Sequence, residues 1–447
     1  MNIYIDTLGC AKNEYDSQML AASLLDRGCR IVESASEADI IIVNTCGFIE
    51  DAKRESIERI LELAEEAGKS DDTNKSDIKL VVCGCLAEKY HDELSAELPE
   101  VDMFFGVNDY DDLPERLMNT SDKGDLVGSG LDDLRYRKRR FEDGAHFGYL
   151  KIAEGCDNAC SFCAIPSIRG PFRSKRIEDC IKEAEDMAKH GIKELILIAQ
   201  DTSQYGKDLY GEVRLPKLLQ ELCKIEGIEW IRLMYVYDNG ITDELIEVIK
   251  NEPKICKYID MPIQHISDNV LKKMRRAFRG ASIKETIEKL RAEIPDVHIR
   301  TTLLVGSPGE TEEDIEELIA FIDEYQLDRL GAFAYSDEDG TAAYEMEGKN
   351  SEEVCEARRN LVMEHQRDVS EKLNEKTVGS VMEVIIDEKL YHSDGEDVLY
   401  VGRTRYDAPE IDCEVTFAGP DEFEAGDIVN VKIQSAYEYD LEGTVEV

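Results

Sequence analysis

Apolar and polar positions alternate in blocks along the first 115 or so residues, short apolar runs giving way to charged stretches. Residues 3–6, 40–43 and 79–82 read as strands. Residues 14–26 and 49–66 carry apolar side chains at three- and four-residue intervals and read as helices. Strand–helix alternation of this kind predicts a parallel sheet covered by helices. From residue 148 to about 374 the alternation resumes, with strands expected at 195–199, 230–234, 258–261, 299–305 and 331–335. About six such units predict a complete or partial (βα) barrel, whose functional groups gather at the C-terminal ends of its strands. Beyond residue 376 the texture changes to short alternating strands broken by Gly and Asp, at 381–386, 398–401 and 428–433. That pattern predicts a small β-barrel.

The fold class is therefore α/β: an N-terminal parallel-sheet domain (1–117), a linker (118–145), a central (βα) partial barrel (146–374) and a C-terminal small β-barrel (375–447). A length of 447 residues agrees with about three domains at roughly 150 residues each. The linker holds the basic run Arg135-Tyr136-Arg137-Lys138-Arg139-Arg140, read as a solvated charge cluster. No run of about 18 apolar residues suggests a membrane span. The N-terminus, Met1-Asn2-Ile3-Tyr4-Ile5-Asp6, reads as a strand and not as a secretion signal, so a cytoplasmic location is expected.

Composition narrows the chemistry. Thirteen cysteines without a secretion signal argue for metal binding or catalysis over a disulfide framework. Cys29, Cys180, Cys223, Cys256, Cys355 and Cys413 each stand alone and read as ordinary buried thiols. Formal net charge is -44, from 53 Lys+Arg against 97 Asp+Glu. Nucleic-acid binding relies on cations that displace phosphate counterions, so direct nucleic-acid binding is not expected and a basic protein partner suits the chain better.

The segment Glu154-Gly155-Cys156-Asp157-Asn158-Ala159-Cys160-Ser161-Phe162-Cys163 sets three thiols at spacings of four and three on one loop. Thiolates so placed hold an iron–sulfur cluster, and three of them leave one iron of a cubane open for a substrate. The alternative is a structural zinc site, but no histidine or fourth cysteine lies nearby to complete it. This Cys-x-x-x-Cys-x-x-Cys string, with an aromatic before its last cysteine, resembles the radical S-adenosylmethionine superfamily. The resemblance implies that Cys156, Cys160 and Cys163 hold a [4Fe-4S] cluster whose open iron chelates S-adenosylmethionine, and that one-electron reduction releases methionine and a 5′-deoxyadenosyl radical. Phe162 is then expected to pack on the cofactor's adenine, and Gln200 and Asp201, after a barrel strand, to meet its amino group. Gln264 and His265 end another strand and are candidates for the same pocket, His265 being equally readable as structural.

A second cysteine set is dispersed. Leu8-Gly9-Cys10, Asn44-Thr45-Cys46-Gly47 and Cys83-Gly84-Cys85-Leu86-Ala87 each follow an expected strand. Loops after neighbouring parallel strands share one sheet edge, so the three thiols can converge on a second cluster. Cys83 continues an apolar run, whereas Cys85 follows Gly84, where the backbone can turn, and is taken as the third member.

Together with Pro262-Ile263-Gln264-His265 and Pro308-Gly309-Glu310-Thr311, these strings resemble the methylthiotransferase family over essentially the whole chain. The resemblance implies an auxiliary [4Fe-4S] cluster on Cys10, Cys46 and Cys85, a radical domain and a C-terminal TRAM barrel. The resemblance assigns no catalytic residue beyond the cluster ligands. The family divides into enzymes of tRNA adenosine and enzymes of a ribosomal-protein aspartate. The strings Tyr149-Leu150-Lys151-Ile152-Ala153-Glu154, Ala199-Gln200-Asp201-Thr202-Ser203 and Asp407-Ala408-Pro409-Glu410-Ile411-Asp412 resemble the protein-modifying branch. The C-terminal barrel's acids, Asp407, Glu410, Asp412, Glu414, Asp421, Glu422 and Glu424, outnumber Arg403, Arg405 and Lys432 and should attract a basic protein. The expected activity is methylthio transfer to the β-carbon of an aspartate in small-subunit ribosomal protein twelve, drawing on a reducing electron donor. The alternatives are a tRNA adenosine methylthiotransferase and a non-catalytic metal-binding adaptor.

Overall fold

Strands β1 (Asn2–Thr7), β2 (Arg30–Ile31), β3 (Ile40–Thr45), β4 (Lys79–Gly84) and β5 (Met103–Phe105) form one sheet in the order β2-β1-β3-β4-β5. All neighbours are parallel, and the register sets Thr7 opposite Asn44 and Thr45 opposite Gly84. Strands β1, β3 and β4 therefore end level with one another. Helices α1 (Ala11–Asp26), α2 (Glu50–Glu66) and α3 (Cys85–Glu97) follow these three strands. Strand β3 reads Ile-Ile-Ile-Val-Asn-Thr and is buried throughout because both faces are covered. Ile40 and Ile42 join Met19, Leu20 and Leu24 of α1 in one core, whereas Ile41 and Val43 join Ile60 and Leu63 of α2 and Leu86 of α3 in another. Helix α4 (Leu113–Met118) closes this domain. The computed structural model describes residues 1–69, 77–118, 124–128, 130–131, 134–390 and 398–446. The expected linker at 118–145 therefore falls partly outside the described residues.

The central sheet has six parallel strands in the order β13-β12-β11-β10-β9-β6. They are β6 (Phe147–Lys151), β9 (Glu194–Ile198), β10 (Trp230–Leu233), β11 (Ile255–Asp260), β12 (His298–Val305) and β13 (Arg329–Ala334). Between β6 and β9 a short antiparallel ladder, β7 (Ala153–Glu154) with β8 (Arg173–Ser174), gathers the loop that holds the cysteine triplet. Helices α5 (Ile165–Arg169) and α6 (Ile177–Lys189) flank β8. Leu195 and Leu197 of β9 face the helical core, and Ile196 and Ile198 face inward with Trp230, Tyr258 and Ile385. The buried face of the helix Glu352–Glu375 is mostly polar, with Cys355, Val362 and Val369 as its apolar members beside Arg358, Gln366, Ser370 and Asn374, which is why its period is faint in the sequence.

Strands β14 (Val381–Leu390), β15 (Val398–Thr404), β16 (Val415–Gly419), β17 (Ile428–Ala436) and β18 (Leu441–Val445) close into a barrel in the order β14-β15-β16-β18-β17. It is pinned to the central sheet by Glu194, fully buried, which accepts from Arg232 Nε at 2.7 Å and Arg403 Nη1 at 2.8 Å.

Two readings of charge need correction. The basic run is not simply solvated. Arg139 is buried, with Nε 3.1 Å from Glu183 Oε1 and its guanidinium 4.5 Å from the Tyr15 ring centroid, so it staples α1 to α6. Arg135 and Arg137 both reach Asp111. Nor are Asp407 and Asp412 surface charges. Asp407 accepts from Arg329 Nε at 2.8 Å, and Asp412 from Tyr258 at 2.7 Å and Arg300 Nε at 3.3 Å, so both dock the barrel. Glu410, Glu414, Asp421, Glu422 and Glu424 remain exposed, and the barrel surface stays acidic.

Candidate iron–sulfur and radical site

Because β1, β3 and β4 end together, the residues after them share one edge. Cys10 caps α1 in extended conformation and is exposed; Cys46 directly follows β3; Cys85 opens α3 after Gly84 turns the chain at φ 99°. A side chain on Gly9 would place its Cβ 2.6 Å from Cys46 Cβ, and one on Gly47 would strike the Leu86 backbone at 2.8 Å. The three loops thus touch, and only glycine permits the approach. Burial, together with the neighbouring Cys85 and Cys10, pushes the Cys46 thiol up to about 12. Cys83 instead lies inside β4, fully buried, in the α1 core.

The triplet lies beside the ends of β6 and β9. Cys156 N donates to Gly170 O at 3.2 Å, and Ser161 N to Met274 O at 3.0 Å, so both flanks of the loop are anchored. Asn158 Nδ2 lies 3.5 Å from Cys156 Sγ. Arg276, whose Nη2 donates to Pro262 O and whose guanidinium stacks on Tyr237, sets Nη1 3.4 Å from Cys160 Sγ. Burial, then Cys160 and Cys156, push the Cys163 thiol up to about 12. Each set therefore holds buried thiols, Cys46 and Cys85 in one and Cys156 and Cys163 in the other, whose ionisation burial opposes. Metal binding deprotonates such thiols and overcomes that opposition, so both donor sets fit an iron–sulfur cluster. Among the described residues no three ligands converge as they would around one ion. A four-iron cubane spreads its thiolates, one to an iron.

A buried charge network joins the two sets. Arg169 Nη2 donates to Cys85 Sγ at 3.2 Å and to Asn13 Oδ1 at 2.9 Å, and Nη1 donates to Asp16 Oδ2 at 2.8 Å. Lys151 Nζ donates to Asp16 at 2.5 Å and to Glu154 Oε2 at 2.6 Å. Burial alone would raise the Glu154 carboxyl, but Lys151 and Arg169 hold it well below the usual range. The sequence reading missed Asp16, Glu154 and Arg169 as site residues. Their one signal was position, since each lies within a few residues of a cysteine motif.

Of the expected cofactor residues, Gln200 donates from Nε2 to Glu154 Oε1 at 2.6 Å and keeps Oε1 unpartnered. Asp201 is buried and accepts from Ser203 N at 3.0 Å, Ser203 Oγ at 2.5 Å and Asn158 Nδ2 at 2.8 Å, which ties it to the cysteine loop. Phe162 is half-buried within that loop. Gln264 stands at φ 69° after β11. His265 is fully buried: Nδ1 accepts from Ser267 N at 3.0 Å, and Nε2 lies 3.7 Å from Glu310. Its Nε2 has no hydrogen-bond partner among the described residues.

An open parallel barrel with a cysteine triplet at its strand ends, beside a second cysteine-edged sheet and an acidic closed barrel, defines a radical S-adenosylmethionine enzyme of methylthiotransferase architecture. Residues 150–322 match the Radical SAM superfamily, 378–445 the TRAM domain, and 2–106 the group described as uncharacterized protein family UPF0004. The chain is 45% identical to the ribosomal protein uS12 methylthiotransferase RimO of Clostridioides difficile, over 100% of this chain and 99% of that one. It is 46% identical to the RimO of Alkaliphilus oremlandii, over 99% and 98%. The chain belongs to the RimO family of methylthiotransferases. Among solved structures, the radical S-adenosylmethionine methyltransferase TsrM of Kitasatospora setae shares the fold at a TM-score of 0.58 and 12% identity, covering 88% of this chain and 79% of that one.

Proposed function

We infer that this chain attaches a methylthio group to the β-carbon of an aspartate in ribosomal protein uS12. Cys156, Cys160 and Cys163 hold one [4Fe-4S] cluster, and Cys10, Cys46 and Cys85 hold the other. The observation that carries the reading is the Arg169 network, which links Cys85 of one set to Glu154, two residues before Cys156 of the other. The clusters and S-adenosylmethionine, when bound, supply one-electron and sulfur chemistry that no side chain provides. The protein's own groups anchor the cysteine loops and place Arg276 and Asn158 against the thiols. Gln200 Oε1 and Asp201 face the cofactor's amino group, and Phe162 its adenine.

Residues 1–117 carry the auxiliary set, 118–145 link, 146–374 carry the radical set, and 375–447 meet the substrate. The exposed acids of the barrel favour a basic ribosomal protein and disfavour an RNA backbone. A ribosomal substrate places the work in the cytoplasm, and the reaction draws on a reducing electron donor. No described helix is long and apolar enough to cross a membrane.

The test is mass spectrometry of ribosomal proteins from a strain lacking the gene. The uS12 peptide should lose a methylthio group and regain it on complementation; an unmodified uS12 in the parent strain would refute the assignment.

A further inference from the structure

Lys12 is a buried cation that no carboxylate pairs with among the described residues, its charge neighbours being Tyr235 and Cys10. It projects from the first turn of α1, two residues past Cys10, and is 8% exposed. Other buried cations here, Lys53, Lys151, Lys175 and Arg169, each hold a carboxylate. Among the described residues Lys12 forms no ion pair. Its ammonium instead rests 3.5 Å from the centroid of the Tyr235 ring.

Tyr235 is itself held in an unfavourable conformation. It is a non-glycine residue at φ 58° just past the end of β10, and on the adjacent strand end Gln264 stands at φ 69°. Such backbone persists only where the surroundings over-determine it, and it clusters at ligand sites. Tyr235 N donates to Asp260 Oδ2 at 2.9 Å, and Tyr235 O accepts from Thr202 N at 3.1 Å. Thr202 follows Asp201, whose partner Asn158 reaches Cys156. The ammonium is thus fixed beside Cys10 on one side and along a bonded path to the triplet on the other. Glu154, the carboxylate whose charge Lys12 feels, is engaged by Lys151, Arg169 and Gln200.

A buried ammonium with an aromatic floor and no carboxylate partner is suited to receive one. We propose that Lys12 binds the side-chain carboxylate of the substrate aspartate and makes the site selective for a carboxylate over an amide. The inference rests on the uS12 reading above, because aspartate is the group that substrate brings. Holding the carboxylate fixes the β-carbon one bond away. An asparagine in its place would leave the ammonium unpaired, which is the arrangement that rejects an analogue most strongly.

The experiment measures, by fluorescence anisotropy, the affinity of the cluster-loaded protein for a uS12 peptide containing the target aspartate and for its asparagine counterpart. Wild type should prefer aspartate by roughly tenfold or more. Lys12→Met should bind both peptides as wild type binds the asparagine one, and Lys12→Arg should recover part of the preference. Iron content and S-adenosylmethionine affinity matching wild type certify that the variants are folded and loaded. A loaded Lys12→Met that keeps the full preference overturns the Lys12 assignment while leaving the uS12 reading intact. If Lys12→Met does not load, a loaded Lys12→Arg with no preference overturns it instead. Wild type that binds neither peptide defeats the uS12 reading, and the Lys12 assignment with it.

Discussion

Arg169 Nη2 lies 3.2 Å from Cys85 Sγ while Nη1 of the same guanidinium lies 2.8 Å from Asp16 Oδ2, so one side chain of the central domain grips a thiol and a carboxylate of the N-terminal one. Arg169→Met should leave Asp16 and Glu154 buried with Lys151 as the one cation bonded to them. Breaking a buried pair in this way costs about 3–5 kcal/mol, read as a fall in the urea midpoint of the apo-protein. Hydrogen bonds and positive charge at cluster sulfurs tune reduction potential. The N-terminal cluster of a loaded Arg169→Lys should therefore titrate at a lower potential than wild type by electron paramagnetic resonance.

Asp201 acts through Asn158 on the cysteine loop as well as toward the cofactor. Asp201→Ala should weaken S-adenosylmethionine binding by roughly tenfold, measured by equilibrium dialysis with iron content unchanged. Unaltered affinity would remove Asp201 from the site.

Glu194 is fully buried between Arg232 of its own sheet and Arg403 of the C-terminal barrel. Glu194→Gln leaves Arg232 without its anion and Arg403 with Asp387 alone. A cost of about 3–5 kcal/mol is expected, and limited proteolysis should release the C-terminal barrel faster than in wild type.

His265 makes a pH prediction. Burial lowers its pKa from 6.5 to about 4 despite the opposing pull of Asp314. Between those values the unfolded chain binds a proton that the folded chain refuses, so stability is full above about pH 6.5 and falls as pH drops toward 4. His265→Gln should flatten that part of the stability–pH curve, followed by thermal melts. An imidazole protonated at pH 5.5 in a ¹⁵N spectrum of the folded protein would contradict it.

Much of the fold was legible because its signals are local. The apolar run of β3 and the cysteine directly after it place Cys46 at a sheet edge without any knowledge of the remaining chain. The triplet is likewise contained in one loop. What the sequence concealed is pairing across distance. Arg139 looks solvated until Glu183 of α6 is brought to it, and Asp407 and Asp412 look like surface acids until Arg329 and Arg300 meet them. Helix α1 begins at Ala11, ahead of the first apolar residue of its stripe, because Cys10 O accepts from Asn13 N and Glu14 N. Lys12 and Arg169 carried no periodic or motif signal, since their roles arise only when two domains close on each other.

The most direct test offers the cluster-loaded protein, S-adenosylmethionine and a reductant both uS12 and an anticodon stem–loop RNA in one vessel, with mass spectrometry of each. A methylthio group on one aspartate of uS12, with the RNA unchanged, is the predicted result. A methylthio group on the RNA, or none on uS12 while S-adenosylmethionine is consumed, would contradict it.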